Sequence, residues 1–292
     1  VNMVHMPYLG KGGTSLGINF GTDAAIIKNE RVPNYKAQYE YTVYYETDEE
    51  GVPFVFPTIN ERWKTAKQEN FSKIPGSPVA YWVSENFVRA FERGISIDSI
   101  SDFTGSQHIT ANNDKYLRFH WEVNYCKIGV GNKWVYYAKG GDYRKWYGNI
   151  ELVVDWSTGA LQYYKNNSTS NLLAERYRFK EGITYTELTS SINTFRYLPP
   201  MCVFDKKGPS IVNVKYLWYC LGVLGTKIAP LYFALLNPTL STQVRDVKNF
   251  PIILSESKKN KVEENVMENV ELCKKDWDSF ETSWDFEGHP LV

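Results

Sequence analysis

The feature that most restricts the fold is the apolar run from Tyr216 to Leu236. By length alone it could cross a membrane. Lys227 stands near its middle, however, and Pro230 follows closely. A central Lys costs roughly 2.5–3.5 kcal/mol on insertion, so a spanning helix is disfavoured. The run therefore reads as two helices, broken around Gly225 and Pro230 and buried inside a protein. Burying both demands a substantial core. A chain of 292 residues can supply one, as one large domain or two ordinary ones. The expectation is a soluble, cytoplasmic protein with no membrane partner.

Elsewhere the pattern is that of short strands. Ile18 to Lys28 and Tyr39 to Glu46 are β-prone and separated by a turn at Pro33–Asn34. From Ile97 to Asp205 the chain reads mainly as strands and loops, including Tyr116–Val123, Trp134–Tyr137, Leu152–Trp156 and Met201–Phe204. Pro251–Leu254 reads as an exit strand. Two helices are expected besides the buried pair. One runs from about Val79 to Arg93, opened by Ser77–Pro78 and stopped at Gly94. Arg62 to Asn70 has helical composition as well. The other clear helix lies in the tail, where Val262, Val266, Val270, Cys273 and Trp277 form one apolar stripe that needs a partner surface. The fold class is therefore α+β, with a β-rich middle of mixed or antiparallel sheets flanked by helices. Domain boundaries fall near Ile74–Pro78 and at the Ser/Lys-rich stretch after Ser255, giving segments 1–70, 71–256 and 257–292.

The four cysteines and four histidines are scattered, with neither zinc spacing nor a disulfide framework, so no metal is expected. Val1 follows no leader peptide, which reads as a start inside a longer polypeptide. The net charge is zero, but the balance is uneven. From Ser257 onward five Lys face nine Asp or Glu, leaving −4, so residues 1–256 carry +4.

Basic charge is densest in Lys127–Gly148, where Lys127, Lys133, Lys139, Arg144 and Lys145 face one acid, Asp142. Trp134, Tyr136, Tyr137, Tyr143, Trp146 and Tyr147 are interleaved with them. Cations neutralise phosphates and aromatic faces pack on sugars or bases. Gly140 and Gly141 lack a Cβ, which lets the backbone come close to a phosphate. Arg144 offers a forked contact to guanine or phosphate. A second cluster supplies Arg178, Lys180, Thr184, Thr186, Thr189, Ser190, Ser191, Asn193 and Arg196, short hydrogen-bonding side chains beside cations, the groups that read base edges. On the residues alone, an ordinary solvated hairpin and a polar strand-and-turn remain open for the two clusters.

Several apparent motifs lead nowhere. Gly10–Gly13 lacks the spacing of a phosphate loop, and no strand is followed by a glycine-rich cofactor loop with an acid about 20 residues later. Asn237–Pro238 is followed by Thr239–Leu240, not by the rest of an Asn-Pro-Pro-Tyr motif. His108 has no nucleophile elbow beside it.

Four stretches carry a resemblance: Phe71–Glu85, Lys133–Asn149, Phe179–Ser191 and Leu236–Ile253. They resemble the carboxy-terminal half of the PglX family, the adenine-specific methyltransferases of BREX phage-defence systems. Asp276–Phe286 is similar to the segment that follows there. Type IIG restriction–modification enzymes share the architecture more loosely. The resemblance implies a cofactor-binding methyltransferase domain, then a target recognition domain, then helical spacers. On that pattern residues 1–70 are the end of the methyltransferase domain plus a linker. Residues 71–256 are the target recognition domain, and 257–292 a charged helical tail. The parent would use S-adenosylmethionine to methylate a flipped-out adenine in bacterial DNA. This chain, lacking the cofactor loop and the catalytic tetrapeptide, is expected to hold no cofactor and no catalytic residue. Double-stranded DNA is the expected partner, contacted by Lys133, Lys139, Gly140, Gly141, Arg144, Lys145, Trp146, Arg178, Lys180, Thr184, Thr189, Ser190 and Arg196. The alternative is an interaction scaffold that docks other phage-defence proteins through its aromatic surface and the Val262–Trp277 stripe.

Overall fold

Short β-prone runs punctuated by Gly, Asn and Pro can pair only a few residues at a time, and small sheets result. A computed structural model of the protein describes residues 2–6, 22–30, 32–103, 107–189, 192–237 and 239–292. The chain forms two compact units, Val1–Glu92 and Arg93–Val292.

The first unit is built on strands β1 (Asn2–Met6), β2 (Thr22–Ile26), β3 (Lys36–Tyr41) and β4 (Lys64–Lys67), ordered β2-β1-β3-β4. The β1–β3 pair is parallel and the others are antiparallel. Ala37 and Tyr39 point inward from β3 and pack against Phe71 and Tyr81, with the Tyr39 and Tyr81 rings stacked 4.6 Å apart. The unit ends in helix α1 (Glu85–Arg93), shorter than the expected helix from Val79. Ser77 takes a positive φ of 48°, and the Ser84 carbonyl is the first acceptor, bonded by Phe87 and Val88 N–H. Arg62–Asn70 is not α-helical, although its last three residues open a 3-10 helix, Gln68–Lys73. Its middle pairs with β3 as β4, because a short helix with no apolar face to bury cannot compete with a ladder. Residues 71–92 thus lie with the first unit, although the Pro/Gly break suggested a new unit opening there.

The second unit is α+β, as expected. Its first sheet runs β12 (Cys202–Phe204), β8 (Trp134–Ala138), β9 (Leu152–Asp155), β7 (Leu117–Phe119). Its second runs β11 (Phe195–Leu198), β10 (Gly182–Tyr185), β13 (Ser210–Val212), β6 (Asp102–Phe103). A two-stranded ribbon joins β5 (Ile95–Ser96) to β14 (Pro251–Ile252). Helices α2 (Asn113–Tyr116) and α3 (Thr158–Asn166) belong with the first sheet, where Tyr116, Ala160 and Tyr164 join the core of β8 and β9. Helix α3 falls in a stretch that reads as strands and loops; Ser157 caps it by accepting from Ala160 N–H.

The apolar run folds as α4 (Leu217–Leu224) and α5 (Ala229–Leu236), bent by 78° at the expected break. They cover Ile183, Phe195 and Ile211 of the second sheet. Among the described residues no single helix is long and apolar enough to cross a membrane. Helix α6 (Val244–Lys248) follows, and then α7 (Lys259–Trp277). The tail stripe finds its partner inside this unit: Val266, Val270 and Trp277 are buried against the same core as α4. Gly222 permits the contact, since a Cβ there would lie 2.7 Å from the Val266 side chain. Each buried aliphatic side chain of this kind contributes about 1.5–3 kcal/mol.

Candidate nucleic-acid interface

Strand direction decides which candidate residues meet. In the second unit β8 and β12 run parallel, and both leave at the end where β10 exits and where β11 and β13 enter. Three connections converge there: Lys139–Asn149, the β10–β11 loop and the Asp205–Pro209 turn. The turn and the first loop touch directly. A Cβ on Gly140, whose φ is 85°, would lie 2.7 Å from the Lys207 carbonyl oxygen, so only glycine fits. Thr186 Oγ1 donates to the Gly141 carbonyl at 3.0 Å, tying the β10–β11 loop to the same place.

Lys139–Asn149 is braced from three sides. Trp146, with φ of 69°, adds an extra rung to β11: its N–H donates to Phe195 O and its carbonyl accepts from Tyr197 N–H. The Trp146 ring lies against Gly225 at the end of α4. Lys145 Nζ donates to Gly225 O at 3.0 Å, where the helix collects partial negative charge. Arg144 pairs with Asp276 at 3.0 Å and lies over the Trp277 ring at 4.7 Å. Arg144, Lys145 and Trp146 therefore hold this loop to α4, β11 and α7. The interleaved aromatics are mostly core. Trp134, Tyr136, Tyr137 and Tyr147 are at most 8% exposed, whereas Tyr143 is 56% exposed.

Arg196 is the most unusual residue here. It is 1% exposed, and no carboxylate pairs with it among the described residues. Its Nη1 donates to Arg144 O and Thr194 Oγ1, and Nη2 to Thr186 Oγ1, at 3.3–3.4 Å. Its Nε has no partner, and burial pushes its pKa down to about 10. Thr184 is buried too, with Oγ1 3.4 Å from the Gly208 and Pro209 carbonyls. Thr189 N–H donates to Leu240 O. Ser190 lies outside the described residues.

Exposed cations at this end include Lys206 and Lys207, which the sequence reading passed over. Lys207 pairs with Glu187 at 3.1 Å. Lys139 is half-buried, and neither Lys139 nor Lys206 has an ion-pair partner among the described residues. Asn193 also belongs here, both of its side-chain polar atoms buried without a partner. A single Lys-Lys-Gly turn between strands carries no signal of its neighbours, so only topology could reveal this grouping.

Three candidates lie at the other end of the sheet. Lys133 precedes β8 whereas Lys139 follows it, which separates them by about 20 Å at 3.3 Å per residue. Lys133 lies near Asp155 and over its neighbour Trp134. Arg178 donates to Leu173 O at 2.7 Å and packs over Trp156. Lys180 is exposed. His108 is fully buried among Tyr137, Trp156 and Tyr164, and burial lowers its pKa to about 3, so it is a neutral core residue. Among the described residues no group of His, Cys, Asp and Glu could hold a metal ion.

An α+β unit with a loop cluster at one end is compatible with many activities, and comparison with known proteins narrows them. No family profile matches the chain. It is 30% identical over 281 residues to the adenine-specific methyltransferase BrxX of Escherichia coli O9:H4 (strain HS), covering 93% of this chain and 22% of that protein. It is 29% identical over 295 residues to the adenine-specific methyltransferase PglX of Lacticaseibacillus casei (strain Zhang), covering 93% of this chain and 24% of that one. The chain belongs to this PglX-like family. It spans about a quarter of the length of the curated relatives it matches.

Proposed function

We propose that the second unit is a duplex-DNA recognition module serving an adenine-specific, S-adenosylmethionine-dependent DNA methyltransferase in phage defence. The observation that carries this is the convergence of Lys139, Lys206 and Lys207 with Thr186 at one end of two sheets, in a chain related to adenine-specific methyltransferases. Loops mounted on a rigid scaffold suit groove contact: lysines position the phosphates, and short polar side chains read base edges. Arg144, Lys145, Trp146 and Arg196 shape the loop from behind. Lys133, Arg178 and Lys180, at the far end, would meet only flanking phosphates.

S-adenosylmethionine is assigned no residue here. The one glycine pair following a strand among the described residues, Gly140–Gly141 after β8, leads back into β9 and not into a helix. That connection does not fit a dinucleotide-type cofactor turn. Cofactor binding and methyl transfer belong, on this reading, to the rest of a longer protein.

The test is a titration of the chain against duplex DNA at two salt concentrations. Lys139→Glu with Lys206→Glu should weaken binding at least tenfold and flatten its salt dependence by roughly two phosphate contacts. Unchanged binding by that variant would remove the assignment. A second reading, protein docking, is supported by the first unit. Tyr44, Tyr45, Phe54, Val55, Phe56 and Ile59 are each at least 66% exposed on a loop braced by the Arg62–Glu46 ion pair. Exposed apolar clusters of this kind mark interaction surfaces. Serine substitutions at Phe54 and Phe56 should abolish such docking and leave DNA binding intact.

A further inference from the structure

A concavity of the second unit lies against the Lys139–Asn149 loop, which contributes Tyr147 to its wall. It is a cleft of about 340 Å³ between α7 with its following segment and the β11–α4 side, and it is walled by Tyr147, Tyr197, Trp218, Trp284, Met201 and Met267. Its size falls in the range of small-ligand sites. The Tyr197 and Trp218 rings are stacked at 5.0 Å, and Trp284 is fixed against Tyr136 at 4.2 Å, so the walls are preformed.

The charge around these rings is negative. Glu271 and Asp285 line the cleft, Asp278 stands behind Lys274, and Glu181 accepts from the Tyr197 hydroxyl. Against these four acids stands Lys274, already bound to Asp278 and Asp285 at 2.5 and 2.8 Å. Burial holds the Tyr147 hydroxyl protonated at the cleft wall, and Asp278 and Asp285 add to this electrostatically. Electron-rich ring faces, thioethers and surplus negative charge together select one ligand chemistry. A small hydrated metal ion would find too few oxygens, and an anion would be repelled. A positive nitrogen with apolar substituents is matched on both counts.

We propose that this cleft binds an organic ammonium cation, its alkyl groups against the Trp218 and Trp284 rings and its charge balanced by Glu271 and Asp285. The cation could be free in solution or carried on a methylated lysine of a protein, and both present the same head group.

The test uses the indole N–H resonances of the isotope-labelled full chain, titrated with tetramethylammonium chloride at constant ionic strength. Its neutral isostere, tert-butanol, serves as the control. Saturable shifts confined to Trp218 and Trp284 are expected. The cation should bind about fivefold more tightly than the isostere, the ratio equivalent to a cation–π gain of about 1 kcal/mol. Glu271→Gln, at an exposed site, should keep the melting temperature and weaken the cation at least threefold while leaving tert-butanol unaffected. A trimethyllysine peptide that binds tighter than tetramethylammonium indicates a protein-borne cation, and equal binding indicates a free one. Equal shifts with cation and isostere, or shifts that never saturate, overturn the proposal. Because Glu271 stands on α7 and is not among the proposed DNA contacts, DNA titration of the Glu271→Gln variant should be unchanged.

Discussion

Replacing Arg196 by methionine tests the account of the loop cluster most directly. The guanidinium is 1% exposed, and its pKa falls from 12.5 to about 10 through burial. That displacement means burial costs the charged form about 3 kcal/mol. The return is small: three donor contacts at 3.3–3.4 Å, longer than a good N–H···O bond and so short of the roughly 1.5–3 kcal/mol of a bond to a charged group, and an Nε with nothing to bond. Methionine fills much of the same space and carries no charge, and replacing buried ionic groups with apolar ones is often neutral or stabilising by about 1–4 kcal/mol. The carbonyl and hydroxyls that lose Arg196 give back part of the gain. The expected outcome is a melting temperature between that of the wild type and about 6 °C above it, at roughly 2–4 °C per kcal/mol. Arg196→Ala, which leaves a void, should melt lower than both. Thermal unfolding near neutral pH, followed by circular dichroism and calorimetry, gives the comparison. If the methionine variant melts more than about 6 °C below wild type, the charge makes a strong interaction and the reasoning fails.

Two further outcomes follow from the packing. Gly222→Val places atoms where Val266 already sits, so it should cost about 1–3 kcal/mol in chemical denaturation, and Val266→Ala should partly relieve it. Stability should also fall in alkali. Burial raises the Tyr81 and Tyr197 hydroxyls to about 12 from 10.0, so the folded chain keeps protons that the unfolded chain loses. Their contribution is complete below pH 10 and declines as pH rises toward 12. A melting series should therefore stay level up to pH 9 and drop beyond 10, with tyrosinate absorbance rising late; early titration of these hydroxyls would contradict their burial.

Where the sequence was informative, a local period or a local breaker supplied the information. The α4–α5 break around Gly225 and Pro230 and the α7 stripe were legible because side chains three and four apart share one helix face. Helix α3 was not, because its turns begin directly after β9 with aromatic residues that suit either structure. In Lys133–Tyr147, alternation of cations and rings described a strand and its exits, not a flat basic face: Tyr136 and Tyr137 fill the core, and Lys133 and Lys139 leave opposite ends of β8. The partnership of Lys139 with Lys206 and Thr186 depends on β8–β12 and β10–β13 pairings between distant segments, which no local pattern encodes.

The clasp between Arg144 and the Asp276–Trp277 end of α7 joins residues 132 positions apart. During synthesis, that brace cannot close until almost the entire second unit has left the ribosome. Strands β8 to β13 can pair earlier, since all their residues precede α4. Biosynthesis therefore makes the scaffold first and stiffens the Lys139–Asn149 loop last. A nascent chain stalled before Asp276 lacks one of that loop's three braces, and protease pulses should cut the loop faster there than in the complete chain while sparing the strands.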